Sequence, residues 1–280
     1  MHKFGVGVVV DCFRLGILES IEAAAKCGVD SVQITGVRED FDFHTPAREK
    51  EAVKKLLKEK GLVLTALCVD IGGFSTTDDL SERIERTKRG MDFALEMGCN
   101  IVTSHIGLVP ESKNELWHAL HNNLSKICEY GNSIGVTFAI ETGPEKASCL
   151  KKLLDEIPGI GVNLDPANLV MVAGDDPVEA VYTLKEYIVH THAKDGIMLE
   201  QVNPEIVYGA AYGTPENIAE WKKFIEVPLG EGDVEFSDWL KALEDIEFKG
   251  SLTIEREVGE NPFDDIKAAV EFLRRIGKST

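Results

Sequence analysis

Apolar and polar positions along this chain switch repeatedly between two periods. Short stretches alternate every second residue, as a strand with two unlike faces does. Longer stretches follow with apolar residues three and four apart, as in a helix with one buried face. Phe4–Val10, Ser31–Thr35, Leu62–Val69, Asn100–His105, Val136–Glu141, Gly161–Asp165, Tyr187–His192 and Gly250–Glu255 read as strands. Leu15–Cys27, the stretch from Thr45 and Pro46 to Lys60, Leu80–Met97, Glu115–Ser133, Ser148–Glu156, Pro177–Glu186, Phe236–Leu243 and Pro262–Ile276 read as helices. Gly28, Gly61 and Gly98 stand where helices should stop, and Gly135 precedes the fifth strand. The charged loop Arg38–His44 follows the second strand. One long connection, Gly196–Val234, interrupts the beat and carries a predicted helix around Pro215–Phe224.

Strands and helices in this alternation predict a closed parallel (β/α)8 TIM barrel, one domain over residues 1–280. A doubly wound open sheet is the rival. The count of eight disfavours it, and so does Val10-Asp11-Cys12-Phe13-Arg14, which stands where a Gly-rich phosphate loop would follow the first strand.

In such a barrel the chemistry sits at the C-terminal ends of the strands. In Val136-Thr137-Phe138-Ala139-Ile140-Glu141 the bulky residues alternate with a smaller set that ends in a carboxylate. Asn163 and Asp165 lie opposite Val162 and Leu164, His190 and His192 share one face, and Thr253 and Glu255 lie opposite Leu252 and Ile254. The small, polar set is the inward one. Glu141, Asp165, His192 and Glu255 therefore converge in principle. Three carboxylates aimed at one point repel each other, and a divalent cation removes the conflict. One imidazole with three carboxylates suits a single Mn²⁺, our first choice, or Mg²⁺, Co²⁺ or Zn²⁺; the shortage of soft ligands disfavours Cu(I). A lone acid at a strand end is as readily a salt bridge or a loop cap. The same pattern on several strands is what favours a site.

Composition removes several classes of function. The net charge is −18 over 280 residues, which disfavours nucleic acid and gives no support for an anionic membrane surface. No apolar run approaches the roughly 20 residues needed to span a bilayer. Cys12, Cys27, Cys68, Cys99, Cys128 and Cys149 are scattered without a CxxC pair and read as buried thiols. With no signal-peptide pattern after Met1, we expect a soluble, cytoplasmic protein.

The segments Ala139-Ile140-Glu141-Thr142-Gly143, Asn163-Leu164-Asp165-Pro166-Ala167-Asn168, His190-Thr191-His192-Ala193-Lys194-Asp195, Pro228 to Val234 and Thr253-Ile254-Glu255 resemble the xylose-isomerase-like barrels. These include ketose 3-epimerases, inosose-processing enzymes and, more distantly, endonuclease IV. The resemblance covers the C-terminal half closely and the first half only by its strand-helix beat. It implies that Glu141, Asp165, His192 and Glu255 bind one metal ion, and that Glu141 and Glu255 also move a proton on opposite faces of one carbon. His190 then lies deeper than His192. The implied activity is metal-dependent isomerisation or epimerisation of a small polyhydroxylated carbonyl compound. An inosose-type dehydratase and a catalytically idle carbohydrate-binding barrel are the alternatives.

Some positions depart from the 3-epimerase pattern. Asn168 replaces a substrate-contacting His, Ala147 replaces a Glu with Glu145 nearby, and Met198 replaces an Arg. Endonuclease IV needs further His and Asp ligands that this chain lacks, so DNA repair is excluded. His105, Asn168, Lys194 and Glu145 are the candidate substrate contacts. Gln33 and Asp70 read as mouth residues or loop caps, Asp195 as a partner of His192 or a turn cap, and Trp117 and Trp239 as core or interface. Gly230-Glu231-Gly232 reads as a turn. The connection 197–227 is a candidate lid or subunit contact, which leaves room for a homo-oligomer.

Overall fold

A computed structural model describes residues 4–75, 79–209 and 215–277. Met1 to Lys3, and residues 210–214 of the long connection, lie outside the described residues. Eight parallel strands close into a barrel: β1 (Gly5–Val9), β2 (Ser31–Thr35), β3 (Val63–Cys68), β4 (Ile101–Ser104), β5 (Thr137–Glu141), β6 (Gly161–Leu164), β7 (Ile188–Ala193) and Ser251–Ile254, which is β10 in chain order. Each strand pairs with its sequence neighbour, and β10 lies between β7 and β1 to close the ring.

The outer ring carries α1 (Ile17–Cys27), α2 (Ala47–Lys60), α3 (Leu80–Met97), α4 (Glu115–Ile134) and α5 (Ala147–Leu154). A single turn α6 (Pro166–Asn168) and a π-helical turn over Leu169–Ala173 follow β6, and α7 is Pro177–Leu184. Later come α8 (Pro204–Gly209), α9 (Pro215–Glu220), α10 (Phe236–Asp245) and α11 (Pro262–Ile276). The stop predicted at Gly98 has φ +89°, a left-handed conformation that costs a residue without Cβ little. Phe138, Ile140, Val162, Leu164, Leu252 and Ile254 are buried on the outward strand face, under the helices.

The inward face is polar, as the alternation predicted, and it is layered. At the bottom Ser31 Oγ bonds Ser251 Oγ at 2.8 Å across the barrel. A Cβ on Gly7 would stand 2.7 Å from Ser31 Oγ and 3.1 Å from Thr253 Oγ1, so any larger residue there would displace the Ser31 hydroxyl. Above it His190 Nδ1 meets Asn163 Oδ1 at 2.9 Å, while Nε2 lies 3.3 Å from Thr253 Oγ1 and 3.4 Å from Thr65 Oγ1. Burial, helped by the nearby His192, pushes the His190 pKa down to about 3, so this ring is a neutral strut.

The long connection differs from expectation. It opens with β8 (Asp195–Met198) and returns as β9 (Phe224–Val227), an antiparallel pair in which Gly196 faces Glu226 and Met198 faces Phe224. The predicted helix stops at Glu220, and Phe224 belongs to a strand. Phe224, Ile225 and Val227 are β-formers whose partner strand lies a helix pair away in sequence, so local periodicity alone did not reveal them.

Candidate active site

The four strand-end residues meet at the barrel mouth. Glu141, Asp165, His192 and Glu255 each offer one donor atom, and these atoms all lie within 4.8 Å of one another. They come from β5, β6, β7 and β10, four neighbours in the barrel wall. His192 Nδ1 is 3.3 Å from Glu141 Oε1, 3.5 Å from Asp165 Oδ2 and 3.4 Å from Glu255 Oε2. Such separations suit donors that each stand roughly 2.1 Å from a shared cation.

Local sequence explains how each side chain is aimed. Asp165 is the N-cap of α6: its Oδ1 accepts the N–H groups of Ala167 (2.8 Å) and Asn168 (3.0 Å), with Pro166 in the first helical position. Its backbone N–H and C=O are both bonded to the Thr142 hydroxyl. One carboxylate oxygen is thus consumed by the cap. The other, Oδ2, is buried without a hydrogen-bond partner and faces the three other donors. An orphaned buried carboxylate oxygen is costly unless a cation or proton answers it. Burial raises the Asp165 pKa.

His192 is held from the far side. Its Nε2 lies 3.1 Å from both Gln33 Oε1 on β2 and Asn163 Nδ2, and Nδ1 faces the carboxylates; with Nδ1 on a cation, Nε2 would carry the proton and Gln33 would accept it. Burial works against a charged ring, yet Glu255, Glu141 and Asp165 raise its pKa well above the usual range. The carboxylates call for positive charge at this point, which a divalent ion supplies. Donor chemistry, spacing and the orphaned oxygen all fit such an ion. Asn163 Nδ2 donates to Glu141 Oε2 at 3.3 Å, and Asn168 Nδ2 donates to Glu141 Oε1 at 3.3 Å and to the Thr142 carbonyl at 3.1 Å.

Glu255 is paired as well as converging. Its side chain is largely covered and receives Lys194 Nζ at 2.8 Å. Burial alone would push Glu255 up; Lys194 and His192 outweigh it and hold the carboxyl well below the usual range. Lys194 is itself buried between Glu255, Glu257 (2.5 Å) and Glu226 (3.9 Å). His105 pairs through Nδ1 with Asp70 Oδ2 at 2.8 Å, and its Nε2 stands 3.6 Å from Glu141 Oε1. Burial opposes protonation of His105, but Glu141 and Asp70 raise its pKa to about 10.

A cavity of about 490 Å³ opens above these groups. His105, Asn168, Lys194, Glu141 and Glu255 line it, as does Asp70. Glu145 does not: it is buried behind the wall, and its Oε2 accepts the Val109 N–H at 3.2 Å. Asp195 does not orient His192 either. Its carboxylate accepts the backbone N–H groups of Gly196, Gly230, Gly232 and Val234 at 2.8–3.1 Å, so the Gly230-Glu231-Gly232 turn wraps an internal acid and ties β8 to the barrel. A larger surface cleft, about 680 Å³, is lined by six carboxylates including Asp175 and Asp245 and lies away from the four converging donors.

Sequence reasoning passed over Gln33 as a direct partner of His192, and Asn163 as one of Glu141. The available signal was an amide on the inward face of an otherwise apolar or small strand. It also passed over the apolar wall built by Met171, Tyr208, Trp221 and Ile225.

The site is thus the mouth of a polar-lined (β/α)8 barrel at which three acids and a histidine converge. The family model of the xylose isomerase-like TIM barrel matches residues 21–276, and the chain belongs to that family. It is similar in structure to a xylose isomerase domain protein from Planctomyces limnophilus, with TM-score 0.80, 27% identity and coverage of 99% of this chain and 98% of that one. The probable 3-DHS dehydratase of Bacillus anthracis superposes with TM-score 0.77 at 22% identity over 96% and 98% of the two chains, a likeness of fold. The fructoselysine 3-epimerase of Escherichia coli O157:H7 is 27% identical over 138 residues, which span 46% of this chain and 50% of that enzyme. Among the described residues no helix is long and apolar enough to cross a membrane.

Proposed function

We propose that this protein is a divalent-metal-dependent isomerase or epimerase that moves a proton on the carbon next to a carbonyl of a small polyhydroxylated substrate. Glu141, Asp165, His192 and Glu255 hold the ion in this reading. The observation that carries it is Asp165 Oδ2, buried, without a partner and facing three further donors. When bound, a cation there would offset the negative charge that builds on the carbonyl oxygen as the proton leaves.

The chain's own groups do the rest. Glu141 ends β5 and Glu255 follows β10, separated in the wall by β6 and β7, an arrangement that suits two carboxylates acting on opposite faces of one carbon. One carboxylate removes the proton and the other, protonated, returns one. Lys194 keeps Glu255 ionised at neutral pH. Charged His105, held by Asp70, donates from Nε2 to a substrate oxygen, and Asn168 orients Glu141 and can meet a hydroxyl. Manganese is the ion we expect first. The six free cysteines fit a reducing cytoplasm.

A dehydratase would begin with the same proton abstraction and then expel water; Asn168 and Met198, where the ketose epimerases carry other residues, favour keeping it as the second reading. The test is metal content of the purified protein, together with deuterium incorporation from D₂O into ketoses and inososes. About one equivalent of Mn, Co or Zn in the wild type, none in Glu141→Ala, and exchange that Glu255→Gln abolishes are expected. Failure of the wild type to take up any added divalent ion would overturn the reading, and an absorbing enone product would transfer it to the dehydratase.

A further inference from the structure

The cavity is built of two unlike halves. Its floor is polar: Asp70, His105, Glu141, Asn168, Lys194 and Glu255 lie at or just past strand ends, and Glu226 and Glu257 add two carboxylates paired with Lys194 and Arg256. Its outer wall is apolar and comes from elsewhere. Met171 and Val172 belong to the π-helical turn after β6, Val207, Tyr208 and Trp221 to the connection between β8 and β9, and Phe224 and Ile225 to β9. Tyr208 sits on a backbone shelf, since a Cβ on Gly143 would lie 3.1 Å from its hydroxyl.

Part of this wall is open to solvent. Trp221, Ile225 and Val258 are 45%, 43% and 45% exposed, and all three line the same cavity. The Trp221 ring leans on Phe224 at 5.3 Å between centroids. Large apolar side chains gathered at a cavity mouth mark a surface that a ligand covers. A bare polyol has hydroxyls to satisfy on every carbon and leaves most of this wall unused.

Charge narrows the choice. The cations that line the cavity are His105 and Lys194, and both are already matched, His105 by Asp70 and Lys194 by Glu255 and Glu257. Arg256, next to the mouth, is bound by Glu226 and Asp265. Among the described residues the outer wall therefore presents no uncommitted cation to a phosphate or carboxylate.

We propose that the outer wall is a subsite for an uncharged apolar substituent, and that the substrate is a polyhydroxylated carbonyl compound carrying an aryl or alkyl group, with Trp221 as the residue that selects it. This inference rests on the metal-centred reading of the floor and adds the class of substrate to it.

The experiment is calorimetric titration of manganese-loaded protein with D-fructose, with 1-amino-1-deoxy-D-fructose as the control for the exchanged C1 hydroxyl, and with 1-anilino-1-deoxy-D-fructose, which keeps the carbonyl and carries a phenylamino group on C1. Wild type is expected to bind the anilino compound about tenfold or more tightly than fructose, as cover for one indole face supplies. Trp221→Ala should bring the ratio of affinities close to one, and Trp221→Phe should restore most of it. Equal affinities in the wild type, a preference that survives Trp221→Ala, or no binding of the anilino compound would overturn the proposal. Metal uptake and deuterium exchange with unsubstituted ketoses are read on the same preparation. Failure to take up metal sinks the metal-centred reading, whereas metal uptake without an aryl preference sinks only the subsite.

Discussion

Asp165 Oδ2 stands 3.5 Å from His192 Nδ1, buried and without a hydrogen-bond partner, while Oδ1 of the same carboxylate caps a helical turn. The two oxygens have separate jobs, and a substitution can separate them. Asp165→Asn keeps an oxygen for the cap, where Asn serves about as well as Asp. It removes the charge from the donor set. The variant should fold with nearly unchanged thermal stability in the metal-free form and lose metal affinity by about 100-fold or more, measured by competition with a chromogenic chelator.

Gln33 acts on the same site through His192. Replacing it with Leu keeps the volume and leaves the Nε2 proton of a buried imidazole without its acceptor. Metal affinity should fall by roughly 10–100-fold, the range typical for groups that orient a metal-ligating histidine. Equal metal affinity in Gln33→Leu and wild type, by the same competition assay, would show that the 3.1 Å contact has no such effect.

Lys194 is surrounded by Glu255, Glu257 and Glu226. Lys194→Met removes the ammonium that lies 2.8 Å from the buried Glu255 and should destabilise the fold by about 3–5 kcal/mol, the usual cost of stranding one member of a buried pair. Urea unfolding at neutral pH measures it. A companion Glu257→Gln should cost less than about 1 kcal/mol, because that carboxylate is largely exposed.

Glu145 supplies a pH dependence away from the four donors. Burial raises its pKa to about 7 despite the Val109 N–H that it accepts. With the folded value above the unfolded one, protonation favours the fold. That contribution is complete below about pH 4.5 and is lost as pH rises through 7. Glu145→Gln keeps the acceptor and cannot ionise. Its stability advantage over wild type should grow between pH 5 and pH 8 toward about 3 kcal/mol, at roughly 1.4 kcal/mol per pKa unit. Denaturant midpoints at the two pH values give the difference; an advantage that stays flat across this window would show that Glu145 titrates normally.

Much of the barrel was legible because its signals are local. An inward strand face of small and polar residues under an outward face of Val, Leu and Ile is written at a period of two, and the helix stops are written as single glycines. Glu141, Asp165, His192 and Glu255 could be picked out for the same reason: each ends a strand, and parallel strands in a closed barrel deliver their ends to one mouth. The placement of Glu145 behind the wall was not legible, since it lies on the bend before α5 and meets the Val109 N–H, a partner 36 residues away.

The chain alone therefore determined the alternation of elements, the inward polarity and the identity of the converging acids, all of which follow from spacing over fewer than ten residues. Tertiary structure decided what those residues do to one another. Gln33 and His192 are 159 residues apart and meet only because the sheet closes. Asp195 turned from a neighbour of His192 into the anchor of a distant glycine turn because four backbone N–H groups outcompete one ring. The apolar wall over the polar floor exists because β8 finds β9 across an intervening helix pair. Local periodicity carries no information on such a pairing, since its stabilisation comes from contacts made only after the chain has returned on itself.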